Sequence, residues 1–153
     1  MKRIFATALA TASIVIASPL AAQRDFSEVE ITSEELAPGV AVLFGAGGNM
    51  AVSHGEDGTI LIDDQFAPLS EKIEGAVAYL GATPVKYVVN THWHGDHTGG
   101  NEHFGGTGAT IFAHHNVRVR MSSPQTRGER VTPPSPKALS LIHISEPTRQ
   151  EAI

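Results

Sequence analysis

Four side chains with metal-binding chemistry fall within a six-residue stretch: His92, His94, Asp96 and His97, in the run Thr91-His92-Trp93-His94-Gly95-Asp96-His97-Thr98-Gly99-Gly100. Imidazole nitrogen and carboxylate oxygen suit a borderline divalent ion such as zinc, and iron and manganese also accept these donors. The chain has no cysteine, so thiolate sites and disulfides are excluded, and any metal rests on carboxylates and the 8 histidines. Side chains two apart on extended backbone point the same way, so His92 and His94 can converge on one ion. Gly95 is expected to permit a sharp turn, beyond which Asp96 and His97 aim at a second ion. A lone histidine on a loop is more often structural than a ligand. Three histidines and an aspartate at this spacing point instead to a site for two metals.

Such a loop needs a rigid frame. Val85 to Val89 reads as a buried strand that runs into Asn90-Thr91 and delivers the loop. Upstream, Val40 to Phe44, Met50 to Ser53 and Thr59 to Ile62 read as short strands. Gly45-Ala46-Gly47-Gly48-Asn49 and Gly55-Glu56-Asp57-Gly58 lie between them as turns, since Gly and Asn tolerate positive φ. Between this meander and the delivering strand, Pro68 to Gly81 sets Leu69, Ile73, Ala76, Val77 and Leu80 at helical spacing, with Gly81 as a stop. After the histidines, Asn101 to Phe104 reads as a short helical turn, Thr110 to Ala113 as a strand and His114 to Met121 as the start of a helix. A β-meander followed by β-α-β-α alternation predicts an α/β sheet with helices packed on it. Residues 23–38 are polar and acidic and read as a lead-in segment. From Ser122 onward, Pro124, Pro133, Pro134 and Pro136 predict a loop or linker.

The whole chain, 153 residues with a net charge of -5, suits one domain of ordinary size. Its 41% hydrophobic content is enough for a packed core. The acidic balance and the lack of clustered Lys and Arg argue against a nucleic-acid partner. Lys2 and Arg3, an uncharged apolar run from Ile4 to Ala17, and the small residues Ser18 to Ala22 read as a cleaved signal peptide over residues 1–22. The apolar run is short for a membrane anchor and has no stop-transfer charges after it, so the expectation is a periplasmic or secreted protein without a stable membrane span. Ser140 to Ile153 continues no earlier pattern. Its Ser-Leu-Ile-His-Ile-Ser-Glu-Pro-Thr-Arg segment resembles translated sequencing-adapter DNA, which makes residues 140–153 a non-native tail and 23–139 the domain.

The Thr91–Gly100 motif, together with Leu61-Ile62-Asp63-Asp64, resembles the signature of the metallo-β-lactamase superfamily, and the likeness covers residues 38–121. The resemblance implies an αββα sandwich with metals between the sheet edges, of which this chain would be the N-terminal half. It also implies two zinc ions, one on His92 and His94 and one on Asp96 and His97. The implied activity is metal-assisted hydrolysis of a small-molecule substrate, with Asp96 as the catalytic group that orients the attacking water and moves its proton. Asp63 then either fixes the ligand loop or a ligand histidine, or merely caps the turn after its strand. His114 and His115 are further candidates for supporting the ligands. His54 and His103 read as surface residues, and Trp93 either shapes the substrate mouth or packs in the core. The family completes each metal with downstream residues for which nothing after Met121 offers a context. Two protein ligands per ion and an uncovered sheet face are therefore expected. Two other classes share these features: an iron-dependent redox enzyme on the same fold, and a non-catalytic periplasmic metal-binding module. The motif leaves the substrate open among lactams, lactones and other esters, thioesters and phosphodiesters.

Overall fold

A computed structural model describes residues 24–135 and 141–144. The expected signal peptide, and all of the expected tail except residues 141–144, lie outside the described residues.

Three antiparallel pairings open the sheet, joining strands β1 (Thr32–Ala37), β2 (Val40–Phe44), β3 (Met50–Gly55) and β4 (Gly58–Ile62). The chain then crosses over through a 3-10 turn at Ala67–Leu69 and helix α1 (Ser70–Tyr79) to β5 (Val85–Asn90), which lies parallel to β4. Two short helices, α2 (Gly95–Thr98) and α3 (Asn101–Gly106), lead to β6 (Thr110–His114), parallel to β5. Helix α4 (His115–Met121), a small hairpin of β7 (Gln125–Arg127) and β8 (Arg130–Thr132), and β9 (Leu141–Ile144) complete the described chain. The sheet order is β1-β2-β3-β4-β5-β6-β9.

This is the α/β arrangement that the periodicity predicts, with three additions. The lead-in segment contains β1, which pairs along β2 from Thr32↔Phe44 to Ala37↔Val40. Every residue of β1 except Ser33 is exposed, so an edge strand held by backbone bonding carries no apolar alternation to reveal it. The proline-interrupted region forms the β7–β8 hairpin. Within the expected tail, Leu141–Ile144 pairs parallel with Ile111–His114.

Burial follows the two-residue period. Ala41, Leu43, Met50, Val52, Leu61, Val88 and Ile111 point to one face and are 0–1% exposed. Leu69, Ile73 and Val77 of the crossover pack on that face, with Phe104 from α3. Pro68, second in the 3-10 turn, and Gly81 at φ +71 bound this crossover. Ala113, Val117 and Met121 form a second cluster joined by Trp93. The opposite sheet face carries Ile60, Tyr87 and Phe112. Ile60 and Tyr87 are 38% and 39% exposed, and the Tyr87 and Phe112 rings lie 5.8 Å apart. One apolar face thus stands uncovered among the described residues. No helix among them is long and apolar enough to cross a membrane.

Candidate metal centre

The parallel pair β4–β5 places the ligand loop. Asn90, the last residue of β5, is buried; its Nδ2 donates to His97 O at 3.0 Å, and its Oδ1 accepts from Asn101 Nδ2 at 2.9 Å. The loop therefore leaves the strand and is caught again at its far end. His94 O accepts from the His97 and Thr98 N–H groups (2.9 and 3.1 Å), closing the single turn of α2. Gly95 begins that turn without positive φ, and a Cβ there would meet nothing within 4 Å. The expected need for glycine at this turn is not what the structure shows. The required glycines are the next two. A Cβ at Gly99 would lie 2.5 Å from Gln65 O and 2.7 Å from Ala67 N, and one at Gly100 would lie 2.8 Å from Asp64 O. These are backbone neighbours that cannot yield.

The loop rests on three consecutive buried polar residues at the end of β4: Asp63, Asp64 and Gln65. Asp63 Oδ1 accepts from Thr91 N–H (2.8 Å), and Oδ2 accepts from Thr91 Oγ1 (2.7 Å) and lies 2.8 Å from His97 Nδ1. Asp63 thus ties down the loop's first residue and contacts the His97 ring, the supporting arrangement rather than a cap on its own turn. Thr91 Oγ1, having given its proton to Asp63, is left as an acceptor for His92 Nδ1 at 3.0 Å. This network assigns the N–H of both His92 and His97 to Nδ1. Each ring then keeps a bare Nε2, the form in which imidazole binds a metal.

Those nitrogens face other donors. His92 Nε2 lies 3.1 Å from His94 Nδ1, and His97 Nε2 lies 3.6 Å from Asp96 Oδ2. Two ligands of a tetrahedral zinc, each about 2.0–2.1 Å from the ion, stand about 3.3 Å apart. The two pairs bracket that span, so the donor set and its spacing fit two ions. The rings of His92 and His97 lie 3.9 Å apart, which puts the pairs side by side. Among the described residues, however, no group of three or more His, Asp or Glu is gathered as a ready metal site. Convergence among the described residues is pairwise.

Asp64 is fully buried, with Oδ1 accepting from Gly100 N–H at 3.0 Å and Oδ2 without a partner. Burial pushes its carboxyl up to about 8; the Gly100 bond opposes that shift and the neighbouring Asp63 adds to it. Gln65 binds the Gly45–Gly48 segment through its side chain and Gly99 through its backbone carbonyl (2.7 Å). Thr91, Asp64 and Gln65 are supports that the motif did not single out. The sequence signal for Asp64 and Gln65 is an unbroken polar run directly after the apolar strand Thr59 to Ile62, where a surface turn would be the simpler reading.

Trp93 packs against the second cluster, and its ring meets His94 at 4.8 Å and the Arg120 guanidinium at 5.3 Å. It also lines a cavity of about 350 Å³ with Gly95, Arg120, Met121 and Gln125. His114 accepts from Asn116 N–H through Nδ1 (3.1 Å), which gives it a capping role on α4. His103 is more than a solvated surface residue, since it pairs with Glu74 of α1 at 3.0 Å.

The family model described as the metallo-beta-lactamase superfamily matches residues 43–146. The chain belongs to the metallo-β-lactamase superfamily. Solved structures with the same fold include a Cronobacter sakazakii metallo-β-lactamase with a HARLDQ motif, at 20% identity and a TM-score of 0.65, covering 81% of this chain and 49% of that one. The metallo-β-lactamase SMB-1 in complex with mercaptoacetic acid follows at 18% and 0.65, covering 80% and 49%. FIM-1 from Pseudomonas aeruginosa, in its mono-zinc form, matches at 22% and 0.54, covering 61% and 45%. The chain spans about half the length of these structures, and its α/β sheet is the N-terminal part of the metallo-β-lactamase fold. No curated protein matches it.

Proposed function

We propose that the chain carries the metal-ligand loop of an exported, zinc-dependent hydrolase, with His92 and His94 for one ion and Asp96 and His97 for a second. The observation that supports this most is the Asp63 network, which leaves Nε2 of His92 and of His97 bare and turned toward a second donor. Zinc, when bound, supplies Lewis acidity and lowers the pKa of water from 15.7 toward about 7. The chain's own residues set the rest. Asp63 fixes two imidazole tautomers, Asp96 would orient a water and take its proton through Oδ2, and Trp93 walls the neighbouring cavity. Arg120, whose guanidinium lies on Trp93 in that cavity's wall, favours a small substrate with an anionic group. The basic and apolar start of the chain supports export, with residues 1–22 as the signal.

Zinc titration of the purified chain in competition with a chromogenic chelator tests this. Binding that falls at least about tenfold in each of His92→Ala and Asp96→Ala is the expected result. Zinc binding unchanged in both variants would refute the ligand assignment. Iron as the metal that co-purifies would move the reading to redox chemistry. Turnover retained in the full enzyme after Asp96→Ala would remove the catalytic role of that carboxylate.

A further inference from the structure

The glycine-rich segment 45–48 belongs to neither the motif nor its direct supports, yet it lies against the metal loop. None of Gly45, Gly47 and Gly48 has positive φ, so the turn itself does not call for glycine there. What the missing side chains permit is proximity. A Cβ at Gly48 would lie 2.6 Å from His97 Cε1 and 3.0 Å from Nε2, and one at Gly47 would lie 3.0 Å from Asp96 Cβ. Bare main chain thus lies against the Cε1 corner of the His97 ring, between the Nδ1 that Asp63 holds and Nε2.

One residue keeps that main chain in place. Gln65 is fully buried and sits at φ +50, a left-handed conformation that costs a non-glycine residue about 1–2 kcal/mol. Its Oε1 accepts from Ala46 N–H (3.2 Å) and its Nε2 donates to Gly48 O, while its own carbonyl accepts from Gly99 N–H (2.7 Å). A buried amide without partners is costly, and here both ends of the amide are satisfied by this segment's backbone. Gly45 leaves room for the same side chain, since a Cβ there would lie 2.5 Å from Gln65 Oε1.

We propose that Gln65 is a positioning residue that clamps segment 45–48 against the ligand loop, so that Gly48 holds the His97 imidazole in the orientation that turns Nε2 toward Asp96. The metal consequence rests on the ligand assignment above; the clamp itself does not.

The test compares wild type, Gln65→Met (similar length, no hydrogen bonds), Gly48→Ala and the double variant, all in the whole chain. In metal-free protein, a nuclear Overhauser contact between Gly48 Hα and His97 Hε1 is expected in wild type and lost in Gln65→Met. Zinc affinity is expected to fall about tenfold to a hundredfold in each single variant, the range for groups that orient a ligand. The double variant is expected to bind no worse than the weaker single one, because a released segment can withdraw from the ring and make room for the methyl. Losses that multiply, or single variants that bind like wild type, would overturn the clamp. Wild type that binds no zinc would sink the ligand assignment, and the Overhauser contact then decides the clamp by itself. Should Gln65→Met fail to fold, Gly48→Ala must still displace the His97 ring signals relative to Gly55→Ala, whose Cβ meets nothing. Unchanged His97 signals in Gly48→Ala would overturn the proposal.

Discussion

Replacing Asp64 by Asn should abolish the pH dependence of stability that this one carboxyl imposes. Its folded pKa stands near 8, against 3.8 for the free group, chiefly because it is buried. A folded value above the unfolded one means that the folded state holds a proton which the unfolded chain releases. The contribution is therefore whole below about pH 3.8 and drains away as the pH climbs toward about 8. One proton corresponds to about 1.4 kcal/mol per pH unit, or about 2.7 kcal/mol between pH 5 and 7. In Asp64→Asn the amide oxygen can still accept from Gly100 N–H, and nothing titrates. The NH2 group would take the place of Oδ2, which has no partner, at a pH-independent cost of about 1–3 kcal/mol. The two effects balance at roughly pH 4.5–6, so wild type is the more stable protein at the acid end and Asp64→Asn at pH 7. Urea unfolding read by the fluorescence of Trp93, the only tryptophan, measures this at half-unit steps from pH 4.5 to 8. Taking the difference between the two proteins cancels the histidine titrations they share. A difference that stays flat across the range would refute the reasoning, because it would mean that Asp64 ionises as a solvated carboxyl does.

The other consequences concern the supports of the same loop. Asp63→Ala removes the partner of His97 Nδ1 and two acceptors from Thr91, and should weaken zinc binding about tenfold to a hundredfold in chelator competition. Gly99→Ala forces a Cβ to 2.5 Å from Gln65 O and should lower the melting temperature sharply. Gly95→Ala, which meets nothing at the start of a helical turn, should be neutral or gain up to about 1 kcal/mol; equal melting temperatures for the two would refute the packing argument. Lys72 Nζ donates to the carbonyls of Phe26, Ser27 and Val29, at 3.2, 2.7 and 2.7 Å. Lys72→Met should therefore leave the sheet intact but expose residues 24–31 to limited proteolysis, which mass spectrometry of the fragments would reveal.

Where a periodic apolar signal existed, the elements were legible. Leu69, Ile73 and Val77 recur at helical spacing and form the buried stripe of the crossover, and the strands from Val40 to Ile62 stand where alternation puts them. β1 escaped because its residues face solvent and only backbone hydrogen bonds hold it. The β7–β8 hairpin escaped because each of its strands has three residues, too few to display a period. The four candidate ligands were legible because their chemistry and spacing are rare together. Their supports were not, since nothing local says whether an aspartate or glutamine after a strand faces water or a neighbouring loop. That is settled by the parallel β4–β5 pairing, which brings residues 63–65 under residues 91–100.

The end of β4 concentrates this dependence. Asp63 and Asp64 follow the apolar strand directly, and Gln65 follows them; the first and third have positive φ (61° and 50°). An ordinary strand would send alternate side chains to opposite faces. Two left-handed residues in three break that alternation, and the three side chains reach three targets instead: Asp63 to Thr91 and His97, Asp64 to Gly100, and Gln65 to Ala46 and Gly48. Strain of about 1–3 kcal/mol per residue persists only where its surroundings over-determine it. Here the surroundings are the two ends of the ligand loop and the glycine segment opposite. A relaxed turn with glycines at 63 and 65 would cost less locally but would hold none of them. Local strain and buried polarity both run against stability at this point, and both are explained by the placement of two imidazoles and one carboxylate a few ångströms away.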